Sequence, residues 1–251
     1  GTISADGRFV AFKSAASNLR PADPGDGNHP DIFVRDRKLG KTLYAGADLN
    51  GKQGGSASHA PAISADGRWL AFWSYSSDLV ASDTNGKADV FVRDLAESQT
   101  LRVSVSSDGI QANAESRFPA VSEDGRYIAF SSSATNLAPP DTNAPAIYVH
   151  DRLSGQTSRA MANPSGFSGG SPSLSLDGRF LAMAVEDAGN IFHILLRDLQ
   201  LGETLTVDLA ADPDWHHEST SGSPGRAALR RARPAPPGRP PRGRARRSPP
   251  Q

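Results

Sequence analysis

The sequence predicts an all-β fold, a β-propeller of four-stranded antiparallel blades with about four blades present. Three observations predict it. Asp-Gly-Arg returns at Asp6, Asp66, Asp124 and Asp177, at intervals of 60, 58 and 53 residues. Each return precedes a short apolar run (residues 9–12, 69–73, 127–130 and 180–183) and then a second run ending in Asp36, Asp94, Asp151 or Asp198. Six residues past that Asp stands a Thr in every copy, Thr42, Thr100, Thr157 and Thr204, which opens a further short strand. A period of about 40 to 60 residues holding four strands suits propeller blades. A β-solenoid needs a much shorter period, and a sandwich does not explain the recurrence.

The second copy shows the elements most plainly. Strands are predicted at 60–64, 68–75, 89–95 and 100–104, in runs rich in β-branched and aromatic residues and bounded by Gly, Asp, Asn and Pro. Asp-Gly between the first two marks a tight hairpin, because glycine accepts the positive φ that such a turn requires. The two middle strands are continuously apolar, so both of their faces are predicted to be covered. Blades are placed at about 1–47, 48–105, 106–159 and 160–209. The first lacks most of its initial strand, and in the fourth residues 186–193 stand in place of a long acidic loop. Asn18, Asp78 and Asn136, each followed by Leu, occupy one further shared position.

Residues 211–224 read as the lead-in to an incomplete fifth blade, with Ser223-Pro224 repeating Ser171-Pro172. Residues 225–251 are almost wholly Arg, Pro, Gly and Ala, a composition that buries no core and predicts disorder. A basic arm for nucleic acid or an acidic surface is one reading of this tail. A shifted reading frame in GC-rich DNA is the reading that its abrupt mid-repeat onset favours.

Net charge divides along the chain. Residues 221–251 carry nine Arg and no acid; taking these from 27 Lys+Arg leaves 18 against 27 Asp+Glu, so residues 1–220 have a net charge of −9. An acidic body argues against a nucleic-acid-binding surface there. The absence of cysteine excludes disulfides and thiolate metal sites. No run approaches the roughly 18 apolar residues that suggest a membrane span.

Ile63-Ser64-Ala65-Asp66-Gly67-Arg68-Trp69-Leu70-Ala71-Phe72, followed by Asp89-Val90-Phe91-Val92-Arg93-Asp94, resembles the TolB-type, WD-like β-propeller repeat of bacterial proteins. The resemblance covers residues 1 to about 210 and is specific for fold, not activity. It implies about six blades, so the chain is expected to be a fragment of a six-bladed or larger propeller. With the acidic body and the lack of cysteine, it implies a periplasmic or extracellular location.

The acidic loop is the leading site candidate. Asp83-Thr84-Asn85-Gly86-Lys87-Ala88-Asp89 sets oxygen donors at Asp83, Asn85 and Asp89, a spacing reminiscent of calcium loops. The first copy offers Asp23, Asp26, Asn28 and Asp31; the third keeps Asp141 and Asn143 but has Ala146 at the Asp89 position. The fourth has His193 there. Calcium takes six to eight oxygens, and one loop supplies about half of them. The competing role is Asx-turns that hold the loop backbone without metal.

Other motifs carry less. Gly166-Phe167-Ser168-Gly169-Gly170 matches a nucleophile elbow in letters but lacks the preceding strand and following helix. His216-His217-Glu218 lacks metal-ligand spacing, and His29, His59, His150 and His193 are scattered over separate units. The Asp residues of Asp-Gly-Arg and those ending each second run recur in every copy, which points to construction, with Arg8, Arg68, Arg126 and Arg179 as their expected partners. The sequence therefore predicts a non-catalytic scaffold that binds a protein, a glycan or another ligand. Its rival is the propeller of a larger hydrolase, such as a serine peptidase, whose catalytic domain lies outside these residues.

Overall fold

The computed structural model describes residues 1–19, 29–51, 54–138, 145–162, 171–186 and 192–207. Gly1–Leu209 form one compact unit. The predicted lead-in at 211–224 and tail at 225–251 lie outside the described residues.

Four sheets of four strands follow one another, each an antiparallel meander in chain order. The first holds β1 (Thr2–Ile3), β2 (Phe9–Ser14), β3 (Asp31–Asp36) and β4 (Lys41–Tyr44). The second holds β5 (Ser58–Ile63), β6 (Trp69–Ser74), β7 (Asp89–Asp94) and β8 (Gln99–Arg102). The third holds β9 (Ser116–Val121), β10 (Tyr127–Ser132), β11 (Ala146–Asp151) and β12 (Gln156–Ala162). The fourth holds β13 (Ser173–Leu174), β14 (Phe180–Glu186), β15 (Phe192–Asp198) and β16 (Thr204–Thr206). Among the described residues the one helical element is a 3-10 turn at Ser17–Leu19.

Strand β5 begins two residues earlier than its pattern predicts. Ser58 and His59 are polar, yet they pair across the sheet with Ser74 and Trp73. The ladder then slips between His59 and Ala62, with Ala60 at φ 47°. Pro61, which has no N–H to give a ladder, sits inside this bulge. Strand β9 repeats the device, with Phe118 at φ 55° before Pro119.

The cores lie between sheets. All six residues of β6 and of β7 are buried, as continuous apolar runs require. Leu70, Phe72 and Phe91 join Ala11, Ile32 and Val34 of the first blade. Trp69, Trp73, Val90 and Val92 point the other way, to Ile128, Phe130 and Tyr148 of the third. Ala129, Ile147 and Val149 continue to Leu181 and Met183 of the fourth. Alternate side chains of one strand thus serve two neighbours, and the blades stack in chain order.

A repeated contact sets the stacking at the Asp-Gly-Arg hairpins. Gly67, Gly125 and Gly178 all have φ near +70°. A Cβ at Gly67 would stand 2.2 Å from the Phe9 ring, at Gly125 2.1 Å from Trp69, and at Gly178 2.3 Å from Tyr127. The aromatic that follows Arg in one blade therefore lies on the glycine of the next. One residue serves turn and packing together.

Meander topology divides each blade into two ends. The hairpin end carries the Asp-Gly-Arg turns and the turns between third and fourth strands. The loop end carries the loops between second and third strands and the connections to the next blade.

Candidate functional site

At the hairpin end the recurring polar residues build one unit four times. Ser4, Ser64, Ser122 and Ser175 donate from Oγ to Asp6, Asp66, Asp124 and Asp177. Each serine accepts the amide of the aromatic five residues on. Each of these Asp residues accepts the amide of the Arg two residues on, which closes an Asx-turn. The arginines then pair with the Asp that ends the third strand: Arg8–Asp36, Arg68–Asp94 and Arg126–Asp151 at 2.7 Å, and Arg179–Asp198 at 2.6 Å. The same guanidinium groups lie 4.5 to 5.0 Å from the ring centroids of Phe9, Trp69, Tyr127 and Phe180.

Asp36, Asp94, Asp151 and Asp198 also accept amides of the turn that follows each of them. Arginine hydrogen bonds hold Asp36 and Asp198 down at about 2, and lower Asp94 and Asp151 as well. The recurring threonines pair similarly. Thr42, Thr100 and Thr204 accept from Arg35, Arg93 and Arg197, while Thr157 bonds His150 Nδ1.

The acidic loop lies at the loop end. Asp83, Asn85 and Asp89 are brought together; Asp31 occupies the Asp89 position in the first blade, beside His29 and the Tyr44 hydroxyl. Asp23, Asp26, Asn28, Asp141 and Asn143 lie outside the described residues, as do Gly166–Gly170 and His216–Glu218. Asn85 Oδ1 accepts the Lys87 amide at 2.7 Å, an Asx-turn, and Asn85 Nδ2 donates to Asp89 Oδ2 at 3.1 Å. Gln111 Nε2 donates at 2.8 Å to both Asp83 Oδ1 and Asp89 Oδ2. Ser104 Oγ donates to Asp89 Oδ1 at 2.6 Å. Arg102 Nη1 stands 3.6 Å from Asp83 and 3.9 Å from Asp89. Burial raises the Asp89 carboxyl against the pull of these donors. Gln111, Ser104 and Arg102 come from the connection and strand beyond the loop, so the loop sequence alone does not reveal them. Among the described residues no three His, Cys, Asp or Glu side chains are grouped to hold a metal.

A second loop-end cluster spans three blades. Lys13 Nζ lies 3.3 Å from His59 Nδ1, and the His59 ring stacks on Trp73 at 4.3 Å. Arg117 lies 5.0 Å from the Trp73 centroid and 5.6 Å from that of Tyr75, and donates to the Tyr75 hydroxyl. Glu115 pairs with Arg117 at 2.7 Å. Phe118 meets Trp73 edge-on. Burial, then Lys13 and Arg117, lower the His59 pKa, so the imidazole is neutral and accepts from Lys13. Both bulges fall immediately after the residues they orient, His59 and Arg117.

No protein-family model matches the sequence, and no curated protein is significantly similar to it. Solved structures are similar in fold. TolB from Acinetobacter baumannii aligns with a TM-score of 0.51 at 20% identity, over 81% of this chain and 41% of its own. A putative TolB from Agrobacterium tumefaciens aligns with a TM-score of 0.53 at 19% identity, over 81% of this chain and 62% of its own. The fold is a TolB-like β-propeller.

The chain spans 41% and 62% of those two TolB structures. Sequence reading missed the Lys13–His59–Trp73–Arg117 cluster of this TolB-like unit, since its successive members are 14 to 46 residues apart. The signal available was local: His59 and Arg117 each stand two residues before a proline in the same strand of successive copies.

Proposed function

We propose that the chain is a binding scaffold whose ligand face is the loop end of the first three blades. One observation carries the proposal. The Ser-Asp-Arg-Asp unit of the hairpin end repeats in every blade, whereas the loop end gathers unlike residues, Lys13, His59, Trp73, Tyr75 and Arg117, into one cluster. Tyr75 keeps 40% of its surface exposed beside the Arg117 guanidinium. Tyrosine, tryptophan and arginine are the residues most often central to protein recognition. Lys13 and Arg117 on an acidic body favour a partner segment bearing carboxylates.

The test is an array of acidic, neutral and basic peptides, with glycans alongside, probed with wild type, Tyr75→Ala and Arg117→Ala. Retention of acidic peptides by wild type and at least about tenfold weaker retention by both variants is the expected result. Equal retention by all three proteins, or preference for basic peptides, would overturn it.

The acidic loop of the second blade is proposed as a clasp closed by the protein's own donors. Calcium, the ion that its spacing suggests, would have to displace Gln111 and Asn85. The hydrolase reading turns on the full-length reading frame, where a peptidase domain would decide for it. An extracytoplasmic location is proposed from the repeat resemblance. Among the described residues no helix is long and apolar enough to cross a membrane.

A further inference from the structure

We propose that the cleft between the third and fourth blades, at the hairpin end, is a site for a small doubly charged oxyanion. The cleft is a cavity of about 350 Å³ between Tyr127, Arg159 and Ala160 on one side and Gly178, Arg179 and Arg197 on the other. Three guanidinium groups line it, of which Arg179 is already paired with Asp198 at 2.6 Å. Asp177 is the one carboxylate among the lining residues, and its Oδ1 already takes the Ser175 hydroxyl and the Arg179 amide.

The neighbouring clefts show why this one is open and basic. Tyr44 and Arg159 hold equivalent places, opposite Phe33 and Tyr148. Arg93 and Arg197 are equivalent too, each bonded to the recurring threonine. Between the first and second blades, Arg93 is buried beside Tyr44. Between the third and fourth, the same geometry sets Arg197 and Arg159 around one cavity, arginine against arginine. Between the second and third blades, Arg152 fills the space, 3.6 Å from the Trp69 centroid, with Nε donating to the Gly125 carbonyl at 3.0 Å. Its counterpart in the fourth blade is Leu199, too short to do the same.

The planar fork of arginine matches carboxylate and phosphoryl oxygens, two donors to two acceptors. Arg197 Nη1 bonds Thr204, while its Nε is buried without a hydrogen-bond partner and is the donor such an anion would meet. Phosphoryl and dicarboxylate groups share this chemistry.

The test is calorimetric titration of the whole chain with inorganic phosphate and, separately, succinate, at constant ionic strength against chloride. Saturable binding of at least one, with Kd below about 1 mM, is expected, and which one binds identifies the class. Arg197→Gln should weaken binding at least about tenfold. Leu199→Arg, which supplies the missing counterpart of Arg152, should abolish it. Lys41→Ala, which removes an exposed cation of the first blade, should leave it unchanged. Neither anion exceeding chloride, or binding that survives both Arg197→Gln and Leu199→Arg, would overturn the proposal.

Discussion

The hairpin end and the loop end are built from the same strands but use their residues differently. At the hairpin end a Ser, two Asp, an Arg, a Gly and an aromatic recur in each blade, and in the second, third and fourth blades the glycine receives the preceding blade's ring. At the loop end Asp31, Asp89, Ala146 and His193 occupy one position in the four copies, each with its own surroundings. Where copies agree, residues hold blades together. Where they differ, the molecule has freedom to recognise something.

Four experiments would break or sharpen that contrast. The largest effect belongs to the blade-stacking aromatic. Trp69→Ala removes a buried ring packed against Gly125 and the Arg152 guanidinium, and should cost about 3–5 kcal/mol in urea unfolding. Tyr75→Ala, at the other end, should cost less than about 1 kcal/mol.

Acid comes next. The depressed pKa values of Asp36 and Asp198, about 2 against an ordinary 3.8, mean that folding keeps these carboxylates charged. The stability they add is complete above about pH 4 and is lost as pH falls to about 2. Melting temperature should therefore drop steeply between pH 4 and 2, and the drop should be shallower in Arg8→Gln and Arg179→Gln. A gentler decline below pH 6.5 is expected from His59 and His150, whose lowered pKa values favour the neutral ring. Asp89, raised by burial, runs the other way in every variant.

Arg117→Ala should cost no more than about 1 kcal/mol, since its pair with Glu115 is partly solvated. Its effect should fall on ligand retention. Smallest of all is calcium. Titration to millimolar calcium should leave the melting temperature unchanged, because protein donors already meet the Asp83 and Asp89 oxygens. A rise of several degrees would assign that loop to the ion.

The fold was legible because its repeating residues are local. Asp-Gly-Arg marks a turn, the apolar runs mark two-faced strands, and both follow from spacing alone. The partner of the glycine was not legible, since Gly125 meets Trp69 across 56 residues. Nor were the bulges, where Pro61 and Pro119 interrupt ladders that patterning treats as regular. The acidic loop was visible as a set of oxygens, but Gln111 and Arg102, which face them, come from the following strand and connection. The cationic clusters at Trp73 and at Tyr127 escaped for the same reason: each is assembled between blades.

Unfolding free energies of four glycine-to-alanine variants test the central claim most directly. Gly67 and Gly125 share positive φ with Gly86 and Gly109 at the loop end, but the latter two have nothing within 4 Å of an added Cβ. All four should bear the left-handed strain of about 1–2 kcal/mol, and Gly67→Ala and Gly125→Ala should lose at least about 2 kcal/mol more from collision with Phe9 and Trp69. Equal losses at both ends would contradict the account, because blade stacking would then not rest on the hairpin glycines.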